Sequence, residues 1–205
     1  MITIIDYDVG NLKSIQNMLW HLGIEATVSG SPDEIMTAEK LILPGVGRFD
    51  HGVQHLINSG LKPALDQRVM VDRTPVLGIC LGAQLLTKSS DEGDLPGLGW
   101  IDARTVAFNR ERISADLRIP HMGWADTDFK SSSRLFDGIE ATPRYYYVHS
   151  FHMVCDDEKD ELCHAEHGYS FVAGIEHDNI VGVQFHPEKS HQFGMDILRN
   201  FSANY

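Results

Sequence analysis

The chain has 205 residues, 42% hydrophobic and 22% charged, enough to bury one sizeable core and ordinary for a globular domain. Its 17 Lys and Arg against 29 Asp and Glu leave a formal charge of −12 with no basic cluster, so the electrostatic footprint of a nucleic-acid binder is missing. No apolar run approaches the roughly 20 residues of a membrane span. Three cysteines, an odd number in a chain too long to need staples, point to a reducing compartment, the cytoplasm by default.

The first residues are apolar but lack a basic leader and meet Asp6 at once, so they read as a strand over 2–5 rather than a signal segment. Leu12, Ile15, Leu19 and Leu22 recur at helical spacing and predict a helix over 11–22 that Gly23 stops. A strand over 24–28 follows. Ser31-Pro32-Asp33-Glu34 places Ser at the N-cap, Pro at the first helical position and Glu three residues on, a capping box that starts a short helix. A strand over 40–43, helical patterns over 49–58 and 61–72, a strand over 76–79 and a helix behind Cys80 continue the alternation. The fold class is therefore α/β: a largely parallel, doubly wound central sheet flanked by helices, with ligands gathering at the carboxyl ends of the strands. From Gly99 onward, β-rich segments at 100–108, 145–154, 171–176 and 180–185 predict additional antiparallel strands in the C-terminal half, before a helix over 192–201. No repeat or linker divides residues 1–205, which read as a single domain.

Cys80 lies in Gly78-Ile79-Cys80-Leu81-Gly82, where strand gives way to helix. A sharp strand-to-helix turn projects a thiol out of the sheet, small flanking residues permit close approach, and a helix N-terminus favours thiolate over thiol. Taken alone, a cysteine at a strand end is equally a small buried hydrophobe. The flanking glycines, which a buried thiol does not need, favour the exposed elbow. His186 precedes Pro187, which biases it to extended backbone, where residues i and i+2 share a side; Glu188 can then orient the imidazole while its other nitrogen faces the thiol. By itself, His-x-Glu also describes a solvated strand-end loop. Pro44-Gly45-Val46-Gly47 follows a strand, so its N–H groups emerge at the edge that carries Cys80 and, with the amide of Leu81, can hold the oxyanion of an acyl transfer. Without the cysteine, the same four residues are an ordinary turn.

Other chemistries find less support. Gly45-Val46-Gly47 lacks the third glycine of a dinucleotide loop, and no Gly-Lys-Ser/Thr phosphate loop occurs. Among the 11 histidines, His149/His152 and His164/His167 are spaced i, i+3. In β-rich stretches such positions face opposite sides, and the cysteines lack zinc spacing, so no metal is assigned. Tyr145-Tyr146-Tyr147 reads as strand packing.

With Cys80, His186 and Glu188 joined, the sequence resembles the class I glutamine amidotransferases, whose Gly-x-Cys-x-Gly elbow and His-Pro-Glu segment it matches residue for residue. Further stretches, residues 5–12, 43–47, 120–124, 147–151 and 183–190, resemble the glutaminase-subunit family of imidazole glycerol phosphate synthases nearly end to end. The resemblance implies that Cys80 attacks the glutamine side-chain amide to form a thioester, with His186 shuttling protons and Glu188 orienting it. It also implies Gly47 and Leu81 as oxyanion donors, Gln84 and Ser150 as glutamine-pocket residues, and no cofactor. The partner it implies is a cyclase subunit with a (β/α)8 barrel, forming a heterodimer in which ammonia is used to make imidazole glycerol phosphate and aminoimidazole carboxamide ribotide in histidine biosynthesis.

The chain departs from that family at Asp8, where glycine is usual, at Ala125, where asparagine follows the tryptophan, and at Ala83, where methionine is frequent. Residues 100–102 and 189–191 look somewhat like relatives that feed ammonia to enzymes building amidine groups on surface sugars, an alternative acceptor for the same chemistry. A stand-alone Cys-His hydrolase and a catalytically inactive binding module are the readings from other classes. Ammonia released in an open cleft escapes or picks up a proton, so the chemistry itself asks for a partner that excludes water. The Gly-flanked loop over 44–47 adds the expectation that docking completes the oxyanion site and that the isolated chain is nearly silent.

Overall fold

A computed structural model describes residues 1–130, 132–140 and 142–205. Its N-terminal half alternates as the apolar pattern predicts: β1 (Ile2–Ile5), α1 (Leu12–His21), β2 (Ala26–Ser29), α2 (Pro32–Thr37), β3 (Lys40–Gly45), α3 (Phe49–Asn58), α4 (Lys62–Asp66), β4 (Val76–Cys80) and α5 (Leu81–Leu85). The C-terminal half is mostly strand, with β5 (Ala103–Ala107), β6 (His121–Phe129), β7 (Arg144–His149), β8 (Phe151–Cys155), β9 (Glu161–Glu166), β10 (Ser170–His177) and β11 (Ile180–Val183), followed by α6 (His191–Asn204).

The sheet runs β2-β1-β3-β4-β11-β10-β9-β6-β7, with β8 branching from β10 and β5 pairing with β8. Strands β2, β1, β3, β4 and β11 are parallel; from β11 to β10 onward the pairings are antiparallel. The parallel strands are apolar on both faces because helices cover both. Leu41, Leu43 and Val76 point into one core with Val53, Leu56, Leu65 and Leu85 from α3, α4 and α5. Ile42, Leu77 and Ile79, one residue out of phase, point into the other with Ile15 and Leu19 of α1 and Ile197, Leu198 and Phe201 of α6.

Several expectations shift. The strand predicted over 24–28 begins at Ala26, and the helix predicted over 61–72 stops at Asp66 and continues as a wider π turn over Gln67–Val71. Ser31 is the N-cap of α2, but its side chain makes no capping bond; the backbone N–H of Ser31 instead donates to the Ser29 hydroxyl, turning the segment back on β2. The β-rich stretch at 145–154 divides into β7 and β8 at Ser150. Strands β6 and β9 were not foreseen. They pair with each other, β6 also with β7 and β9 with β10.

Glycine is required where α5 lies against the sheet. A Cβ on Gly82 would run into the carbonyl oxygen of Leu43, and one on Gly78 would lie 2.8 Å from the Cα of Ala83. Both collide with backbone, which cannot step aside. Gly82→Ala should therefore lower the unfolding free energy by about 1–3 kcal/mol or more, read as an earlier midpoint in chemical denaturation, whereas Gly60→Ala tests strain alone, since its positive φ of +72° is set in open space.

Candidate active site

Cys80 ends β4 and caps α5 with φ +55° and ψ −110°, a backbone conformation that non-glycine residues avoid. The strand must reverse into a helix within one residue, and this strained elbow carries the sulfur to the carboxyl edge of the sheet. Neighbouring strands deliver the other groups to the same edge. In β3, Gly45 lies in register with Cys80; in β11, Val183 lies in register with Ile79, so the chain beyond Val183 runs on past the thiol.

That continuation holds Gln184, His186 and Glu188. The side chains of His186 and Glu188 are each 1% exposed, and Nδ1 of the imidazole lies 2.9 Å from Oε1 of the carboxylate. The pairing was expected, but its geometry differs: His186 is extended, with φ −102° and ψ 96°, while Pro187–Lys189 form a 3-10 turn, and this turn, not strand alternation, brings Glu188 back to the ring. Ser190, fully buried, donates its hydroxyl to the carbonyl of His186 and accepts from the N–H of Tyr146, whose carbonyl in turn accepts from the N–H of His186. The backbone of the histidine is thus clamped to β7.

Burial by itself would lower the pKa of His186, but the nearby Cys80 and the hydrogen bond and charge of Glu188 outweigh it and hold the value up, at about 9. The group is therefore an imidazolium at neutral pH. Its Nε2 is buried without a hydrogen-bond partner. An orphaned donor beside a sulfur is suited to a third body, a substrate atom between them.

A cavity of about 420 Å³ opens over this pair. Gly47, Leu81, Gln84 and Ser150 all line it, as do Cys80 and His186. Every predicted site residue except Glu188, which lies behind the imidazole, therefore meets at one crevice. Gly47 has φ +100° in open space, and Leu81, the first residue of α5, has an amide with no helical acceptor. Tyr7 donates its hydroxyl to the carbonyl of Pro44 at 2.5 Å, fixing the start of the glycine loop; burial and then the charge of Cys80 raise its pKa, keeping it a donor.

Among the residues at the cavity that the sequence does not single out, Glu92 and Gln184 bear polar groups aimed at the site. Glu92 lines the cavity and accepts from the N–H of Phe49 at 2.8 Å, so its carboxylate is held at the start of α3. Gln184, fully buried, donates to Cys80 Sγ at 3.7 Å and accepts from Gln84 Nε2 at 2.9 Å. Gln184 stands inside a motif that was noted, two residues before the imidazole, which was its one signal; Glu92 is placed by tertiary packing and gave none.

The histidine pairs also depart from expectation. His149 and His152 do not point to opposite sides: Ser150 breaks the strand between them, and both rings pack on Phe108, at 5.2 and 5.0 Å between centroids. His164 and His167 do separate, His164 pairing with Glu161 near the surface and His167 stacking on His121. Tyr145 and Tyr147 are fully buried packing residues, as read, while Tyr146 is half-buried beside Trp124.

A thiol on a strained elbow, a carboxylate-held imidazole and a crevice floored by amides define a cysteine-dependent acyl-transfer site on a doubly wound sheet. The glutamine amidotransferase class-I family model matches residues 3–204, and the chain belongs to that family. Within it, the chain is similar to imidazole glycerol phosphate synthase subunit HisH 2 of Methanococcus maripaludis, 48% identical over 201 residues that cover 98% of each chain. It is equally similar to the HisH 2 subunit of Pseudomonas aeruginosa, again 48% identical with 98% of each chain covered. Among solved structures, a chain of PurLQS from Thermotoga maritima shares the fold at a TM-score of 0.76 and 16% identity, covering 98% of this chain and 96% of that one.

The titration of His186 checks the electrostatics. Its NMR midpoint should lie near 9, and Glu188→Gln should lower it by about 1–3 units, because one of the two groups favouring the charged ring is gone. The sign for folding follows: a raised folded-state pKa stabilises the native chain fully below about 6.5, the value for a free imidazole, and that contribution is lost as pH rises through about 9.

Proposed function

We propose that this chain is the glutaminase subunit of an imidazole glycerol phosphate synthase, with residues 1–205 acting as one amidotransferase domain in the cytoplasm. No helix among the described residues is long and apolar enough to cross a membrane. The observation that carries the reading is the meeting of Cys80 with His186, itself held from behind by Glu188, at a crevice sized for an amino acid.

In this reading the sulfur of Cys80 attacks the side-chain carbonyl carbon of glutamine, and the oxyanion that forms is met by the amides of Leu81 and Gly47. The imidazolium of His186 passes its Nε2 proton to the departing nitrogen, which leaves as ammonia, and the acyl group remains as a glutamyl thioester. Neutral His186 then takes a proton from water as its oxygen attacks the thioester, releasing glutamate and restoring the thiolate beside the imidazolium. Glu188 keeps the ring oriented throughout. Glu92, the carboxylate lining the cavity, faces the α-ammonium of glutamine, while Gln84 and Ser150 bound the rest of the substrate.

The surface beside the crevice supports a partner. Val46 at the cavity rim is 42% exposed, and Met122 and Trp124 on β6 are 63% and 41% exposed. Trp124 stacks flat on His191 and lies edge-on to Tyr146, over which Lys189, itself at the cavity, is placed. Large apolar side chains left in water around a reactive crevice suit a docking face. A cyclase subunit with a (β/α)8 barrel, seated there, closes the path of ammonia to its acceptor.

The same chemistry feeding another acceptor, such as an enzyme forming an amidine on a surface sugar, is favoured by one observation. Asp8, exposed three residues beyond the end of β1, has φ +65°, where glycine is conformationally at ease, and Ala125 follows the exposed Trp124 on β6. Neither touches the triad.

Glutamate release from glutamine, measured with and without the cyclase subunit, decides among these. The expected result is slow release alone, strong release with the cyclase, and a loss of about 10³-fold or more in Cys80→Ala; Glu92→Gln should raise KM more than it lowers kcat. Activity surviving in Cys80→Ala would overturn the mechanism. Partner-independent peptide cleavage would indicate a hydrolase, silence with the cyclase but rapid Cys80 labelling by a glutamine analogue a different acceptor, and silence in both a binding module.

A further inference from the structure

Four imidazoles that the mechanism leaves unused, those of His121, His149, His152 and His167, lie buried together around Phe108, beside the glutamine crevice. Buried imidazoles without hydrogen bonds are costly, and here each has one. The partners dictate where the protons sit. His149 Nδ1 lies 2.7 Å from the carbonyl oxygen of Phe151, which can only accept, so Nδ1 carries the hydrogen and Nε2 holds a lone pair. His121 Nδ1 lies 3.1 Å from that Nε2 and must therefore be the donor. The two residues are directly opposed in the β6–β7 ladder, and the ring of His121 is held between those of His167 and Tyr147, with centroids 4.4 and 5.0 Å away. Neutrality of both rings agrees with this: burial, followed by the charge of His167, lowers the pKa of His121 to about 4, and burial holds His149 well below its usual value.

The bond has a destination. The Phe151 carbonyl also accepts from Gln84 Nε2 at 3.4 Å, Gln84 donates to Gln184, and Gln184 donates to the sulfur of Cys80. A continuous run of hydrogen bonds thus passes from His121 through His149 along the floor of the cavity to the nucleophile, and at its centre stands the Ser150–Phe151 break between β7 and β8, both of whose residues line the crevice.

We infer that His121, which touches neither substrate nor sulfur, is a positioning residue for glutamine: by donating to His149 it fixes the donor that ties down the Phe151 carbonyl, and so holds the Ser150–Phe151 wall of the pocket in its binding shape. This rests on the glutaminase reading. The action is on substrate affinity, because the wall binds glutamine, while the elbow is set by β4 and His186 is held at Tyr146, three residues before His149 on β7, by Ser190 and its own turn to Glu188.

The test compares His121→Phe, which keeps a flat ring for stacking but has no donor, with His121→Asn, whose side-chain amide can place an N–H where Nδ1 stood. Steady-state glutaminase assays with the cyclase subunit should show KM for glutamine raised about tenfold in His121→Phe, with kcat changed less than threefold, and both constants near wild type in His121→Asn. In His149→Phe the KM rise should recur, and adding His121→Phe to it should change KM less than twofold, since the two act in series. Protection of Cys80 from iodoacetamide by glutamine reads the same affinities without turnover. An unchanged KM in His121→Phe, a loss confined to kcat, or additive effects in the double variant would overturn the inference while active wild type upheld the glutaminase reading. Should His121→Phe fail to fold, a KM raised more than threefold in folded His121→Asn would overturn it alone. Wild type that neither turns over nor is protected by glutamine would overturn both.

Discussion

The parallel pairing of β11 against β4 is the contact on which the site depends. β4 brings Cys80 from the N-terminal half of the chain, and β11 leads into His186 and Glu188 from the C-terminal half; only because the strands run side by side in register do these residues meet at one edge. Parallel neighbours need a long crossover, and the whole antiparallel half is threaded between these two strands. Its strands are therefore not an appendage. They supply the crossover that returns β11 to the centre of the sheet, and on the way they build the Ser150–Phe151 wall of the crevice and the ladder on which His186 is clamped.

Around that pairing, sterics and electrostatics work on the same few atoms. The elbow at Cys80 is tolerable because Gly78 and Gly82, two residues to either side, have no side chains to collide with α5 and β3. Strain of this kind, of order 1–3 kcal/mol, persists only where the surroundings over-determine it, and here two apolar cores grip β4 from opposite faces. The imidazole opposite is held from both ends, at its ring by Glu188 and at its backbone by Ser190 and Tyr146, and its charge is favoured despite burial. Rigid placement of both partners, with Gly45 packed against Leu81 and Gly82, leaves Gly47 as the part of the site with open space around it.

The legible parts of the sequence were those whose signal is local. Ile15 and Leu19 announce α1, the apolar run through Ile79 announces β4, and the glycines about Cys80 announce an elbow because sterics at the turn demand them. The unforeseen strands lack such signals. In β6, Gly123, Asp126 and Asp128 interrupt any apolar run, and β9 reads Glu-Leu-Cys-His-Ala-Glu, a composition equally at home in a helix; both become strands because neighbours on either side offer ladders. The site divides in the same way. Cys80, His186 and Glu188 stand in compact motifs, although the 3-10 turn that joins the last two was mistaken for extended chain. Glu92 owes its position to the start of α3, far away in the sequence, and the histidine cluster to a break at Ser150 that no periodicity marks.

Strand β10 has a role in time as well as in space. It touches β11, β9 and β8, bending at Gly174 where the register shifts, and so it is the seam between the parallel and antiparallel halves. It also follows β4 in the chain and is made after it. A nascent chain that has reached Tyr169 already holds its thiol on β4 but has neither the seam nor the imidazole beyond it. A chain cut short of β10 therefore carries the thiol with no imidazole opposite it.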